Sequence, residues 1–286
     1  MTISRVHIIY NPNSTGDGKK NAVQCQKELQ ARDIKASLHT TKHAGHAKEL
    51  AKEFANVDKH CMVISSSGDG GYHEVANGVL AAKNPQVVTG VLPSGNANDH
   101  YHFVHRGTLA KRIKAANYDT IDVLLVKTPH WQAYAHSYAG MGMTSQIGKE
   151  LTEHDLNPFL EAWLVVKNMV RLRSVKIRRH KHTQRLAHIV WSNIGRMSKV
   201  LKLDKRASVT DGKFEVSAVK RASLTQLLAH LLHRATVGGE DEKSLETYTF
   251  TTLRKTTIQL DGEVYTLQKG DAVTISCKPH TLRCIV

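Results

Sequence analysis

The sequence predicts an α/β domain built on a parallel sheet over residues 1–128, followed by a domain of mostly antiparallel strands over residues 129–286. Three observations carry this. Residues 1–128 alternate short β-branched runs with longer helical patterns, the signature of a parallel sheet with crossover helices. After Lys127 and Pro129 the pattern turns to period-two alternation, which marks antiparallel strands with one wet face. A length of 286 residues, at roughly 150 per domain, also predicts two cores.

Arg5 to Tyr10 reads as the first strand and ends in Asn11-Pro12-Asn13-Ser14-Thr15-Gly16-Asp17-Gly18, a run of turn formers. A helix to about Ala31 and a strand at Ala36 to Thr40 follow. From Ala44 to Ala55, Ala47, Leu50, Ala51 and Phe54 fall at i, i+3, i+4 and i+7, one face of an amphipathic helix. His60 to Ser65 is the third strand and breaks into Ser66-Ser67-Gly68-Asp69-Gly70-Gly71. A helix facing inward with Val75, Ala76, Val79 and Leu80 leads to a strand at Val87 to Leu92 and the loop Pro93 to Asp99. Three glycine- and asparagine-rich loops therefore sit at the carboxyl ends of three strands, the edge where open α/β sheets bind ligands. In the second half, Gln132 to Ala139, Val175 to Arg179, Leu186 to Trp191, Lys213 to Val219 and Thr256 to Leu260 read as strands. Two helices interrupt them, about Asn157 to Arg173 and Leu224 to Arg234, and the last strand is placed as one that can return to the first domain.

Forty Lys and Arg against 25 Asp and Glu leave a formal charge of +15. Residues 1–128 hold 16 basic and 11 acidic residues, and residues 129–286 hold 24 and 14, so the excess lies mainly in the second half. Such a field favours polyanionic partners without choosing among them. Four widely spaced cysteines without a Cys-x-x-Cys pair fit a reduced, cytoplasmic protein better than a disulfide scaffold. The N-terminus lacks a signal-peptide pattern, and the longest apolar run, Ala162 to Val166, is far below the roughly 20 residues that span a bilayer. Membrane contact is expected to be peripheral.

Several familiar signatures are absent. Gly18-Lys19-Lys20 lacks the earlier glycine and the hydroxyl of a phosphate loop, and Gly68-x-Gly70 meets His73 where a dinucleotide fingerprint needs glycine. His73-Glu74-Val75-Ala76-Asn77 has Asn for the second zinc-binding His, and Leu92-Pro93-Ser94-Gly95 is not a nucleophile elbow. Support for hydride transfer, zinc hydrolysis and serine-type acyl transfer falls accordingly. What stands out is Ser67 to Gly78, a glycine-rich turn running straight into a helix. Its glycines permit close backbone approach and its first amides can meet a phosphate, although a plain strand-to-helix turn has the same composition. Asp69 at such a cradle makes sense beside a Mg²⁺ ion. Gly95, Asn96, Asn98 and Asp99 repeat the combination, with an Asx-rich turn as the plainer account.

Taken together, Asn11 to Ser14, Ser67 to Gly78 and Pro93 to Asp99 resemble the motifs of the diacylglycerol kinase catalytic family, which includes bacterial lipid kinases and sphingosine kinases. Thr120-Ile121-Asp122, Asp211-Gly212-Lys213 and Asp261-Gly262-Glu263 are similar to its later motifs, in the family's order. The resemblance implies a nucleotide-binding α/β domain and a β-sandwich domain with the active site in the cleft between them. It implies an ATP site lined by Asn11, Thr41, Gly68, Asp69, Gly70, Gly71, Tyr72, His73, Glu74 and Asn96. Asp69, Asp99 and Asp122 would organise the catalytic Mg²⁺. Glu263 would accept the proton of a lipid hydroxyl, with Asp261 and Asp69 beside it in the catalytic set. Ser208, Asp211 and Lys213 match a second Mg²⁺ site of some bacterial members. The implied partners are a lipid alcohol such as diacylglycerol or a sphingoid base and an anionic membrane surface, and a homodimer is compatible with the sequence.

Departures stand beside these matches. Gly71 and Asn96 each replace a threonine, and His100-Tyr101-His102 replaces Phe/Leu-Ala-Arg. These departures leave open a non-catalytic lipid or nucleotide sensor; a kinase for a soluble acceptor, as in related folds, and a nucleic-acid binder are the other rivals. Asp261-Gly262 and Asp211-Gly212 also read simply as turns. The basic run Lys176, Arg178, Arg179, His180, Lys181, His182 and Arg185 reads as a solvated hairpin face or an anionic-membrane contact. It has no interleaved aromatic residues for stacking on nucleic acid.

Overall fold

The structure, a computed structural model, describes residues 3, 5–14, 16–58, 60–82, 84–104, 109–114, 118–142, 174–197, 201–202, 207–220, 226 and 243–285. The chain forms two compact units, residues 1–122 with 279–286, and residues 123–278. The division falls between Asp122 and Val123, six residues before the expected boundary. The helices expected near Asn157 to Arg173 and Leu224 to Arg234 lie outside the described residues, Gln226 excepted.

In chain order the first unit holds β1 (Arg5–Tyr10), α1 (Gly18–Gln30), β2 (Ala36–Thr40), α2 (His46–Val57), β3 (Cys61–Ser67), α3 (Asp69–Ala82), β4 (Val88–Pro93), α4 (Asp99–Val104), α5 (Leu109–Lys114) and the start of β5 (Tyr118–Lys127). Strands β2, β1, β3 and β4 lie side by side and parallel. Beyond Pro279 the chain's last strand joins this sheet in parallel to β4, with Cys284 opposite Thr89. Alternation divides the core in two. Val6, Ile8, Met62 and Ile64 pack with Leu29 of α1 and Ile113 of α5, while Ile9, Cys61 and Val63 pack with Ala51 of α2 and Val75 of α3. Every residue of β3 is buried, as a central parallel strand covered on both faces requires. Each fully buried aliphatic side chain contributes about 1.5–3 kcal/mol. Because β1, β3 and β4 are parallel, the loops after Tyr10, Ser67 and Pro93 all leave the same edge.

The second unit holds the rest of β5, then β6 (Gln132–Ala135), β7 (Tyr138–Gly142), β8 (Val175–Arg179), β9 (His182–Ser192), β10 (Arg196–Met197), β11 (Leu201–Lys202), β12 (Phe214–Lys220), β13 (Lys243–Leu245), β14 (Thr247–Thr252), β15 (Thr256–Leu260), β16 (Glu263–Leu267) and the first half of β17 (Ala272–Ile285). Its described pairings are all antiparallel. Trp191, Phe214, Tyr248, Phe250 and Ile258 belong to one shared core. The segment expected as one strand, Gln132 to Ala139, is two, β6 and β7. Between them the amides of His136, Ser137 and Tyr138 bind the carboxylate of Asp261. The basic run lies on the β8–β9 hairpin, whose two-residue turn is His180 and Lys181 with φ of 48° and 68°. Arg178, His180, Lys181, His182 and Arg185 are exposed, while Arg179 lies over the Tyr248 ring at 4.2 Å. No helix among the described residues is long and apolar enough to cross a membrane.

Candidate active site

The three loops at the sheet edge are knitted into one surface. Ser94 N donates to Ser67 O at 3.1 Å and Gly16 N to Ser94 O at 3.0 Å. Asn21 Nδ2 donates to Ser94 Oγ at 2.9 Å, and Ser66 Oγ donates to Gly18 O at 2.8 Å. Backbone meets backbone at Gly68 and Gly95: a Cβ built on Gly68 would stand 3.0 Å from Gly95 Cα, and one built on Gly95 would overlap Gly68 Cα. Glycine is needed at both because neither main chain can retreat without opening the loops. The sequence signal was present, a glycine early in each loop, but the contact between them was not visible.

Asp69 is the first residue of α3, and its carboxylate spans the gap to the neighbouring loop. Oδ2 accepts the Asp99 amide at 3.1 Å and Oδ1 the His100 amide at 3.2 Å. The same loop closes on itself through Asn98, which accepts from Gly95 N at 3.0 Å and donates to Gly95 O at 2.7 Å. Asn96 is exposed at its tip. Asn11 is exposed and turns its Oδ1 onto Asn13 N at 2.9 Å, and Thr41 N donates to Tyr10 O at 3.0 Å. Beside the first loop, a cavity of about 700 Å³ along α1 has Pro12, Ser14, Lys19, Lys20 and Lys27 among its walls.

Three of the expected nucleotide-lining side chains do something else. Tyr72 and His73 are 1% exposed, and Tyr72 Oη bonds Thr89 Oγ1 at 2.9 Å inside the unit, so neither side chain lines the loop surface. Glu74 gives its two oxygens to the amides of Gly45 at 2.8 Å and Ala47 at 3.1 Å, fixing the start of α2. Gly71 leaves space that Ser67 fills: a Cβ there would overlap Ser67 Oγ, which pairs with Ser65 Oγ at 2.7 Å.

The expected metal carboxylates are separated in role. Asp99 and Asp122 are fully buried, and Asp122 Oδ1 accepts the His280 amide at 2.8 Å. Among the described residues, the group of three His, Cys, Asp or Glu side chains whose ligand atoms lie within 4.8 Å of one another is His43, His46 and Glu49, not these aspartates. The aspartates are all hard oxygen donors, the set that suits a Mg²⁺ ion which keeps several of its waters.

In the second unit, Asp261 and Gly262 form the two-residue tip of the β15–β16 hairpin, with φ of 49° and 106°. Asp261 is fully buried and accepts the amides of His136, Ser137 and Tyr138 at 2.8, 2.9 and 3.0 Å, with His136 Nε2 3.4 Å away. Its carboxylate thus anchors the main chain of residues 136–138 within the second unit. Glu263, the next strand residue, is exposed. Ser208, Asp211 and Lys213 form an ordered turn in which Asp211 Oδ1 accepts Lys213 N at 3.0 Å and Gly212 has φ of 73°. That turn needs no ion to explain it.

Glycine loops joined at the carboxyl edge of a parallel sheet define an α/β domain whose loops meet at the edge where open α/β sheets bind ligands. Residues 5–126 match the diacylglycerol kinase catalytic domain. A diacylglycerol kinase of Bacillus subtilis is 37% identical over 98 residues, 34% of this chain and 32% of that protein. A sphingoid long chain base kinase of Saccharomyces cerevisiae is 28% identical over 170 residues, 56% of this chain and 24% of its own. The matched stretches thus span about a third or less of these relatives. The fold extends further than the sequence match. The crystal structure of a diacylglycerol kinase from Bacillus anthracis superposes with a TM-score of 0.71 at 17% identity, covering 100% of this chain and 97% of that one. A second Bacillus anthracis structure gives 0.75 at 17%, covering 100% and 96%.

Proposed function

We propose that the protein is a lipid kinase that transfers the γ-phosphate of ATP to the hydroxyl of diacylglycerol or a related lipid alcohol. The observation that carries this reading is Asp69 holding the Pro93–Asp99 loop against the Ser67–Gly71 turn, the arrangement of the two motifs the family match contains. In this reading the amides of the Gly68–Gly71 turn and the start of α3 receive the phosphates. Asp69, Asp99 and Asp122 would hold Mg²⁺, which would supply charge neutralisation on the transferred group. The acceptor hydroxyl oxygen forms the new bond to Pγ, the bond from Pγ to the bridging oxygen breaks, ADP leaves, and the hydroxyl proton passes to the Glu263 carboxylate. Peripheral contact with an anionic leaflet falls to the β8–β9 hairpin, where Lys176 stands opposite Arg185 and each cation adds about 1 kcal/mol.

The test is transfer of labelled phosphate from ATP to a panel of lipid alcohols by wild type, Asp69→Asn and Glu263→Gln. Loss of product by a hundredfold or more in both variants is expected. Equal product in all three would overturn the mechanism. A sphingoid-base acceptor is a second reading, favoured by the longer stretch shared with the yeast kinase, and the same panel separates the two.

A further inference from the structure

At the start of α2, away from the motif carboxylates in sequence, stand His43, His46 and Glu49, spaced three residues apart. Their ligand atoms lie within 4.8 Å of one another. The two rings approach to 4.8 Å between centroids, and His43 Nε2 is 4.0 Å from Glu49 Oε2. We propose that these three side chains form a binding site for a zinc-class divalent ion, distinct from the Mg²⁺ role assigned to the aspartates.

The backbone that carries them is already set. His46 N donates to His43 O and Glu49 N to Gly45 O, each at 3.2 Å. The Glu74 carboxylate clamps the amides of Gly45 and Ala47 on either side of His46. An ion therefore meets ordered main chain, and only side-chain rotation is needed. Ligands about 2.0–2.1 Å from a tetrahedral zinc stand roughly 3.4 Å apart, so the cluster must contract slightly, and His43 and Glu49 are exposed and able to move. His43 has the tautomer a ligand needs: its Nδ1 lies 3.0 Å from Ala44 O and donates there, which leaves the lone pair on Nε2, the nitrogen nearest Glu49. His46 accepts the Lys42 amide on Nδ1 at 3.0 Å. Loading requires it to give up that contact. Lys42 is exposed, so water replaces the imidazole as acceptor. Two imidazoles and one carboxylate select zinc, cobalt, nickel or copper over magnesium, which prefers an all-oxygen shell. Water completes the coordination, since these residues supply three ligands.

The experiment titrates the full-length protein with Zn²⁺ against a chromophoric chelator, with millimolar Mg²⁺ present throughout. One ion per chain is expected, loosened tenfold or more by His43→Ala and by His46→Ala and less by Glu49→Gln. Loading with Co²⁺ should give a tetrahedral visible band that His43→Ala abolishes. His43 is exposed and its removal should leave thermal unfolding in chelator unchanged, so His43→Ala decides the matter if His46→Ala proves less stable. No uptake, uptake abolished by Mg²⁺, or equal Zn²⁺ affinity in wild type and His43→Ala would each overturn the proposal. None of these readouts depends on kinase activity.

Discussion

Replacing Asp261 by Ala separates an anchoring carboxylate from a catalytic one. The side chain accepts three main-chain amides at 2.8, 2.9 and 3.0 Å in a fully buried position. Its removal leaves three buried donors, each costing about 1–3 kcal/mol when unsatisfied. Partial entry of water reduces the sum, and a net loss of about 3–5 kcal/mol is expected. For a unit of this size each kcal/mol moves the midpoint by about 2–4 °C, so the unfolding midpoint of the second unit, followed by calorimetry, should fall by about 6–20 °C. Asp261→Asn should rescue little, because its NH₂ turns a donor toward donors. Glu263→Gln, on an exposed residue two positions away, should leave the midpoint within about 2 °C while lipid phosphorylation is lost. A stable Asp261→Ala protein whose midpoint moved by less than about 3 °C would refute the anchoring role, and lost turnover in that stable protein would return Asp261 to the catalytic set.

His7 stacks on Phe54 at 4.1 Å, and burial and the neighbouring His39 and Arg5 lower its pKa from 6.5 to about 4. The unfolded chain binds the extra proton between these values, so stability is full above pH 6.5 and declines toward pH 4, by about 2–3 kcal/mol; denaturant titrations across that window should show the slope, and His7→Phe should flatten it. Gly95→Ala pushes a methyl group into the Gly68 backbone and should cost at least about 2 kcal/mol and weaken nucleotide binding tenfold or more, read by calorimetry. Gly71→Thr alone should destabilise by overlap with Ser67, and adding Ser67→Gly should recover most of the loss, a coupling of about 1–3 kcal/mol in a double-mutant cycle. Burial pushes the thiols of Cys25, Cys61 and Cys284 up to about 12; a disulfide reagent at pH 8 should leave them unreacted in the native protein and label them on unfolding.

Elements whose limits are set by local chemistry fall where the residues place them. β2 and β15 match their expected spans residue for residue, and the Asp261-Gly262 hairpin has the positive φ angles its composition demands. Elements limited by distant partners do not. α2 begins at His46 rather than Ala44 because Glu74, on another helix, holds Gly45 and Ala47. β6 and β7 divide because a carboxylate more than a hundred residues away captures their amides. Periodicity reports which face of a segment is buried. It carries nothing about which remote side chain takes a main-chain donor.

The same distinction governs the site. Motif matching located the loops, yet four of the acidic residues it singled out act on main-chain amides of other segments: Asp69 on residues 99 and 100, Glu74 on 45 and 47, Asp122 on 280, and Asp261 on 136 to 138. In a chain with a formal charge of +15 these carboxylates are few, and each acquires its position by accepting main-chain amides that are buried, as at Asp261, or part-buried, as at the other three. A carboxylate held by two amides has little freedom to rotate, which is the condition for presenting charge to a phosphate or its cation at a defined place. Asp69 meets that condition between two of the loops at the sheet edge, Glu74 at the start of α2 and Asp261 in the interior of the second unit. Sequence pattern treats the three alike. Only the destination of their hydrogen bonds separates a residue that positions the loops around the chemistry from one that holds the scaffold beneath it.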